Sequence, residues 1–524
     1  MKAYDSIELE IFKNAFVSIS EEMGAVLGRT ALSPNIKERK DFSCAVFNRR
    51  GETLAQGSHI PVHLGAMPLS VRAAIRALPF EDGDVVILND PYHGGTHLPD
   101  ITCIAPIFFG KRLAFFAANR AHHSDVGGMT PGSMPLATEI FQEGLIIPPL
   151  KLIRKGRLDE DVLRLILANV RTPDERRGDL LAQLAACEKG KQRVRESVEK
   201  FGLGKILSYS SLIQDYTEKF LRKTIRAIPD GAYAFEDFLD DDGISDEPVR
   251  IRVEIRIRGD RAEVDFRGSS PQVKGGVNAN DAVTCSAVLY VFRSLIVEDI
   301  PFNTGLLRPI KIVAPPGLIV SACHPAATAA GNVETSQRIV DVLLGALAKA
   351  IPDRIPAASQ GTMNNIAIGG FDPAKAKAFA YYETIGGGMG ASRENAGLSG
   401  VHTHMTNSLN TPLEALEHYL PLRIRTYALR KGSGGRGRNP GGEGLVREYE
   451  FPIPAQVTIM SERRKFRPYG LRGGSPAASG KNVLYTDGKK IVLKSKVNLT
   501  VKPGDVLRIE TPGGGGYGRP PKKR

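Results

Sequence analysis

Three residues that can bind a metal ion lie at the two ends of one predicted β-hairpin. His97 and Asp100 precede one apolar β-branched run, and His122 follows a second. The Gly-Lys pair at Gly110 is typical of the tight turn that joins two such strands. Residues paired across that turn have numbers that sum to about 221, which places Asp100 nearly opposite Ala121 and His122. Because facing residues lie about 5 Å apart, we expect His97, Asp100 and His122 to converge.

Two imidazole nitrogens and a carboxylate oxygen favour zinc, iron, manganese or nickel over calcium. Such an ion activates water when its protein ligands leave one coordination position open. The competing interpretation is that loop histidines and aspartates cap turns and face solvent. Four of the ten histidines lie within 31 residues, at both ends of one inferred hairpin. This clustering favours the metal site.

Further polar residues near the hairpin extend the predicted site. Asp41 begins a separate strand-like run and could add a second carboxylate. His123 and Asp125 follow within three residues of His122, and we expect them to donate or accept protons beside the ion. Asp90 and His93 are additional candidates for acid–base or supporting roles.

Two other histidine pairs leave their roles open. His59 and His63 flank a proline, and a pair of this kind is more often structural than metal-binding. His402 and His404 alternate, so they share one face of an extended segment. With two nearby glutamates they could line a pocket, and an ordinary polar surface is an equally good interpretation.

The composition indicates a soluble globular protein. Hydrophobic residues make up 42% of the 524 residues and charged residues 24%, which is ordinary for that class. The net charge of +13 does not indicate a nucleic-acid partner, because Lys and Arg are spread along the chain without a binding motif. We find no signal peptide, no apolar run long enough to span a bilayer and no paired cysteine motif. We therefore expect a cytoplasmic protein with no membrane or nucleic-acid partner.

The hydrophobic patterns predict an α+β fold: a multi-domain, mixed α/β subunit. A metal-bearing α/β domain comes first, a helical segment follows, and a mixed α/β region leads to a glycine-rich, β-rich C-terminal module. The clearest strand pattern is VRIRVEIRIRGDRAEVDF, which alternates apolar and charged residues around a Gly-Asp turn. The predicted boundaries of the four regions are 1–160, 161–230, 231–430 and 431–524.

The sequence offers no credible nucleotide site. The motif GSGGRG at 432–437 matches G-x-G-x-x-G, but Asn-Pro-Gly-Gly follows where a helix should begin. The loop at 474–482 is one residue too long for a phosphate loop and lacks its Ser or Thr. No nucleophile elbow is present either. If the chemistry uses ATP, another chain binds it.

Over nearly its whole length the chain resembles the hydantoinase B/oxoprolinase family. The similarity is carried by several segments in a fixed order: SPNIKERKDFSCAVF, QGSHIPVHLGAMP, NDPYHGGTHLPDI, NRAHHSDVGG, NVRTPDERRGDL, GNVETSQR, YYETIGGGMG and SGGRGRNPGGEG. The resemblance implies one divalent ion, with zinc, manganese or iron favoured. It also implies four metal ligands: Asp41, His97, Asp100 and His122. His123 and Asp125 match positions beside that site, and their catalytic role is an inference.

The resemblance further implies a division of labour between two chains. A hydantoinase A-like partner binds ATP and phosphorylates the amide oxygen of a small cyclic amide, and this chain completes ring opening with a metal-bound water. We therefore expect an ATP-dependent hydrolase of the N-methylhydantoinase or 5-oxoprolinase type, in a hetero-oligomer such as α2β2. The alternatives are a subunit of acetone-carboxylase type, which carboxylates a ketone-derived enolate, and a non-catalytic scaffold subunit.

Overall fold

The N-terminal part of the chain builds a seven-stranded sheet. The computed structural model describes residues 5–521; residues 1–4 and 522–524, at the outer ends of the first and last predicted regions, lie outside it. The elements of this part are α1 (Ser6–Thr30), α2 (Pro34–Lys37), β1 (Phe42–Asn48), β2 (Thr53–Gln56), α3 (Ala66–Ala77), β3 (Val85–Leu88), β4 (Asp100–Phe109), β5 (Arg112–His122), β6 (Leu150–Arg154) and β7 (Arg157–Leu158). Its strand order is β2-β1-β5-β4-β3-β6-β7.

Strands β4 and β5 form the predicted hairpin, and its register is offset by one residue. Near the turn, Phe109 pairs with Arg112, as a sum of 221 requires. A β-bulge beyond Ile107 then shifts the pairing, so that Asp100 faces His122 directly. One extra residue on one strand changes which side chains are opposite each other over the rest of the ladder.

Long helices cover one face of this sheet. They are α1 and three helices that follow the sheet: α4 (Glu160–Ala168), α5 (Pro173–Phe201) and α6 (Leu203–Arg226). The Asp5 side chain caps α1 by accepting from the amide of Ile7. Leu9, Phe12 and Phe16 belong to the buried stripe, whereas Ile7 and Ile11 are exposed. The buried stripe therefore begins at Leu9, in the first turn of α1.

The middle of the chain pairs a second sheet with two buried helices. Its elements are β8 (Gly231–Leu239), β9 (Val249–Arg258), β10 (Arg261–Asp265), α7 (Asp281–Ser294), β11 (Ile310–Val313) and α8 (Ser336–Ala350). Alternate residues of β9 are buried, and they pack with α7 and α8 into one apolar core. A π-helical turn, Gly331–Thr335, leads directly into α8.

The C-terminal part forms two further antiparallel sheets with an apolar core between them. Its elements are β12 (Asn365–Asp372), β13 (Lys377–Glu383), α9 (Leu413–Tyr419), β14 (Arg423–Arg430), β15 (Gly444–Glu450), β16 (Ala455–Met460), β17 (Lys481–Thr486), β18 (Lys489–Leu493), β19 (Lys496–Val501) and β20 (Val506–Glu510). The mixed α/β, multi-domain class predicted from the sequence is confirmed. One sheet, β13-β12-β16-β19, joins strands from both sides of residue 430, and the four domain boundaries stay predictions. Within residues 5–521, no helix is long and apolar enough to cross a membrane.

Candidate metal centre

Three adjacent strands bring acidic and imidazole side chains to one edge of the first sheet. Asp100 begins β4, and its partner His122 ends β5. Strand β1 pairs with the other side of β5, and the carbonyl of Asp41 accepts from the His122 amide at 3.0 Å. Residues directly opposite across a ladder point to the same face. Asp41, His122 and Asp100 therefore form one row at the sheet edge.

His97, Asp100 and His122 present three ligand atoms as a nearly equilateral triangle. His97 Nε2 lies 3.1 Å from His122 Nδ1, and Asp100 Oδ1 lies 3.2 Å from each of these nitrogens. All three side chains are buried. Ligand atoms that share one ion at about 2.1 Å lie roughly 3.0–3.4 Å apart in octahedral or tetrahedral geometry. The triangle has the size that one small divalent ion requires.

The other oxygen of Asp100 is held by two neighbours. Asp100 Oδ2 accepts from the Thr96 hydroxyl and lies 3.3 Å from His63 Nε2. The second nitrogen of His63 lies 2.9 Å from Ser43 Oγ. Burial alone would raise the pKa of the Asp100 carboxyl, but the imidazoles of His97 and His63 lower it well below its usual range. Asp100 is thus an ionised carboxylate with Oδ1 directed at the two imidazoles.

A backbone carbonyl fixes the tautomer of His97. His97 Nδ1 lies 3.2 Å from the carbonyl oxygen of Ala329, which can only accept, so Nδ1 carries the proton and Nε2 keeps its lone pair. The Ala329 amide in turn donates to Glu143 Oε1 at 2.9 Å. Burial lowers the pKa of His97, but the Asp100 carboxylate outweighs it and the net direction is upward.

His122 is held by stacking and leaves one nitrogen without a partner. Its ring lies parallel to that of Tyr382, with 4.4 Å between centroids. The Tyr382 hydroxyl donates to Asn365 Oδ1 at 2.7 Å, which fixes the stacked ring. His122 Nε2 is buried and has no hydrogen-bond partner among residues 5–521. Because an unpaired buried nitrogen is costly, this atom is available to a bound molecule.

A cavity of about 20 Å³ adjoins the triangle, with room for an ion or a water molecule. Asp41 and His63 line it together with Asp100 and His122. Asn332, from the π-helical turn, is also in the wall, and its Oδ1 is buried without a partner. The enclosed space, the two orphaned atoms and the N, N, O donor set fit a catalytic divalent ion.

The carboxylate of Asp41 lines this cavity without joining the triangle. Its Oδ2 lies 3.9 Å from Arg39 Nη1, and it is not among the three residues whose ligand atoms all lie within 4.8 Å of one another. Its role as a fourth ligand stays a prediction.

His123 lies on the opposite face of the sheet from His122, because successive side chains of a strand alternate. His123 Nε2 lies 2.9 Å from Gln183 Oε1, and the Gln183 side-chain amide donates to Ile101 and Asn119. Burial, with the nearby Arg176 charge, lowers the pKa of His123 to about 4. The structure does not bring His123 to the cavity, so its predicted catalytic role has no support from its position.

Asp125 is likewise away from the cavity, in an ion pair with Arg171 at 2.9 Å. Its second oxygen accepts from the amides of Arg171 and Gly127, an arrangement that fixes the loop after β5. Asp90 caps a short turn near the surface, and His93 lies 2.7 Å from it. The acid–base role of Asp125 stays a prediction, and these contacts are typical of structural residues.

The structure separates the members of one of the two remaining histidine pairs and keeps the other pair together. His63 reaches the metal cavity, whereas His59 packs on Phe42 and accepts from the Cys44 amide. His402 and His404 line a separate, larger cavity of about 410 Å³.

Sequence reasoning missed most residues in the wall of the metal cavity, including three with polar side chains. Asn332, Tyr382 and Thr406 come from distant parts of the chain and line the same space as His122. The segments GNVETSQR and YYETIGGGMG drew attention as motifs, but no local pattern indicates where their side chains point.

Comparison with known proteins identifies the family. The sequence model of the Hydantoinase B/oxoprolinase family matches residues 5–520. The chain is 41% identical over 540 residues to 5-oxoprolinase 1 of Arabidopsis thaliana, covering 98% of this chain and 42% of that protein. It thus spans about two fifths of the length of that relative.

Two solved structures share the fold. The ATP-dependent caprolactamase of Pseudomonas jessenii superposes with a TM-score of 0.91 at 28% identity, covering 99% of this chain and 93% of the caprolactamase chain. The nucleotide-free structure of an acetone carboxylase gives a TM-score of 0.92 at 20% identity, covering 99% of this chain and 76% of the carboxylase chain. The second likeness shows the fold alone. With a family match that runs from residue 5 to residue 520, this chain belongs to the hydantoinase B/oxoprolinase family.

Proposed function

We propose that this chain is the metal-bearing, B-type subunit of an ATP-dependent cyclic amidase. In this proposal a hydantoinase A-like partner binds ATP and phosphorylates the amide oxygen of the substrate, and this chain completes the opening of the ring. The observation that carries the proposal is the triangle of His97 Nε2, Asp100 Oδ1 and His122 Nδ1, with edges of 3.1–3.2 Å beside an enclosed cavity. The names of the 5-oxoprolinase relative and the caprolactamase neighbour support the reaction class.

The residues of this chain have distinct parts in that reaction. His97, Asp100 and His122 would hold the ion, with Asp41 as the candidate fourth ligand. A divalent ion at this position would supply Lewis acidity, which lowers the pKa of bound water towards roughly 7. Starting from the phosphorylated amide, one water adds to the carbonyl carbon and the ring C–N bond breaks, so the nitrogen leaves with a proton. A second water then releases the phosphoryl group as inorganic phosphate and leaves the carboxylate.

The cavity wall offers polar atoms to the reacting group. If His122 Nδ1 binds the ion, His122 Nε2 carries the proton and can donate it to an oxygen in the cavity. Asn332 Oδ1 is an acceptor on the same wall. His63 is a positioning residue in this scheme, because its contact with Asp100 Oδ2 keeps Oδ1 directed at the imidazoles.

The experiment tests metal and activity together. The chain is co-purified with its A-type partner, divalent metals are measured by mass spectrometry, and ring opening is followed with ATP. We expect His97→Ala and His122→Ala to lose both metal and ring opening, while His93→Ala, on the exposed part of the same loop, keeps both. Full metal content and full ring opening in the first two variants would overturn the proposal.

The same preparation distinguishes the competing reaction. An acetone-carboxylase-type subunit would consume ATP in a bicarbonate-dependent way with a ketone substrate, whereas a cyclic amidase needs no bicarbonate. A scaffold subunit would bind no stoichiometric metal. Each outcome is read from one purified complex.

A further inference from the structure

A second cavity adjoins the metal site. It has a volume of about 410 Å³ and lies between the C-terminal end of α7, α8 and the segment that contains His402 and His404. Thr406 lines both this cavity and the one beside the metal triangle. The two spaces are therefore neighbours, with Thr406 as a shared wall residue.

Size separates the roles of the two cavities. The inner space of about 20 Å³ accommodates an ion or a water molecule but no ring of five or more atoms. The outer space of about 410 Å³ lies within the range of small-molecule sites, roughly 300–1,000 Å³. A cyclic molecule that reacts at the inner cavity must be held outside it, and the outer cavity is a neighbouring space of the required size.

Residues in the wall of the outer cavity carry buried polar atoms. Among the residues that the structure describes, His404 Nε2 and Thr403 Oγ1 have no hydrogen-bond partner. Both ring nitrogens of His402 are equally shielded from solvent, and the Asn410 side chain lies beside this ring. Burial lowers the pKa of His402 to about 4, so at neutral pH its imidazole offers one uncharged donor and one acceptor. His404 has a left-handed backbone conformation (φ 58°), which is rare for a residue other than glycine and tends to mark functional positions.

The rest of the wall mixes apolar residues with neutral polar ones and is almost uncharged. Leu295, Leu344 and Ile355 supply much of the apolar surface. Arg354 is the one charged residue among those that line the cavity in the part of the chain the structure describes. With no carboxylate in the wall, a cationic ligand is disfavoured, and a compact ring with a donor–acceptor edge fits best.

We propose that this cavity binds the ring of the substrate, a compact cyclic amide, with the imidazoles of His402 and His404 paired to its polar groups and its carbonyl directed past Thr406 towards the metal site. The amide N–H can donate to an acceptor nitrogen of these imidazoles, which leaves the C=O free to face Thr406. This inference rests on the proposed function and assigns the place where its substrate binds.

Direct binding to the full, metal-loaded chain tests the site, with 2-pyrrolidinone as the probe and ligand-observed NMR titration as the measurement. His402→Phe and His404→Phe keep ring size and remove the polar atoms, and we expect each to weaken binding at least about tenfold. His418→Phe, an exposed histidine of α9, is the matched control and should bind as the wild type does. Metal content should be unchanged in all three variants.

A second variant tests the site without changing a buried residue, so that misfolding cannot explain a loss of binding. Ser294 is exposed at the rim of the cavity, so Ser294→Trp should block it without disturbing the core. Wild-type affinity in the His402→Phe/His404→Phe double variant and in Ser294→Trp would overturn the inference, as would the absence of probe binding to the wild type. Because neither ATP nor a partner chain is present, failure of ring opening with this binding intact would count against the proposed function alone.

Discussion

Asp100 and His122 face each other directly across the β4–β5 ladder, with Asp100 Oδ1 3.2 Å from His122 Nδ1. A β-bulge beyond Ile107 sets this pairing, because it changes the register from a sum of 221 near the turn to a sum of 222 at the open end. Without that offset Asp100 would face Ala121, and His122 would point to the other side of the sheet. The metal triangle therefore depends on a backbone irregularity about seven residues away.

Asp100→Asn should remove the metal while keeping the shape of the side chain. The amide supplies no negative charge to balance an ion between two imidazoles, so we expect bound metal to fall by more than about tenfold. Mass spectrometry of the dialysed protein measures this. Asp90→Asn, in an aspartate that caps a turn near the surface, should retain the wild-type metal content. Equal metal in both variants would contradict the assignment of Asp100.

Asp41 can be separated from the triangle by a similar substitution. If its carboxylate binds or supports the ion, Asp41→Asn should lower metal affinity about 10–100-fold. Asp125→Asn is the control, because Asp125 is also buried at this end of the sheet but pairs with Arg171. Competition with a fluorescent chelator gives both affinities. An unchanged affinity in Asp41→Asn would exclude Asp41 from the ligand set.

The sequence predicts the hairpin to within one residue, because the turn signal and the alternation of apolar residues are both local. It does not predict the bulge, since nothing in LAFFAAN distinguishes an extra residue from an ordinary strand residue. The strand beginning near Asp41 is predicted, and its place beside β5 is not. Strand order depends on packing between segments, which hydrophobic periodicity cannot encode.

Local sequence patterns likewise do not predict which residues form the cavity wall. Asn332, Tyr382 and Thr406 meet His122 through contacts that span more than 200 residues of chain. His63 could have been found, because it lies in the segment QGSHIPVHLGAMP, which is dense with histidine and proline, but only the fold shows that it reaches Asp100. Conversely, His123 follows His122 directly and yet points to the opposite face.

His123 should prove important for stability and not for metal binding. His123→Phe leaves Gln183 Oε1 without its buried partner, so the free energy of unfolding should fall by about 1–3 kcal/mol. Urea unfolding measures that loss, and metal content should stay at the wild-type level. If the variant instead keeps its stability and loses one limb of the pH profile for ring opening, the predicted acid–base role is correct.

Bound metal should stabilise the fold, because its ligands come from β4, β5 and the loop between β3 and β4. An ion that binds only the folded chain adds about 2.7 kcal/mol at 100 times its dissociation constant. Chelation should therefore lower the melting temperature, and restored zinc, manganese or iron should raise it again. His97→Ala should show the lower value with or without metal. If chelation leaves the melting temperature of the metal-loaded wild type unchanged, that result would argue against an ion at this site.

Glu143 should make stability depend on pH, because burial raises the pKa of its carboxyl from 4.5 to about 7. Between these pH values the folded chain binds a proton that the unfolded chain does not. The contribution of Glu143 to the free energy of unfolding is therefore fully present below about pH 4.5 and is lost as the pH rises through about 7. Over the whole pH range the difference amounts to roughly 3 kcal/mol. Glu143→Gln keeps the acceptor for the amides of Thr328 and Ala329 and removes the titration. Urea unfolding should therefore show that the free energy of unfolding falls less from pH 5 to pH 8 in Glu143→Gln than in the wild type. Identical losses would mean that Glu143 does not hold its proton in the folded chain.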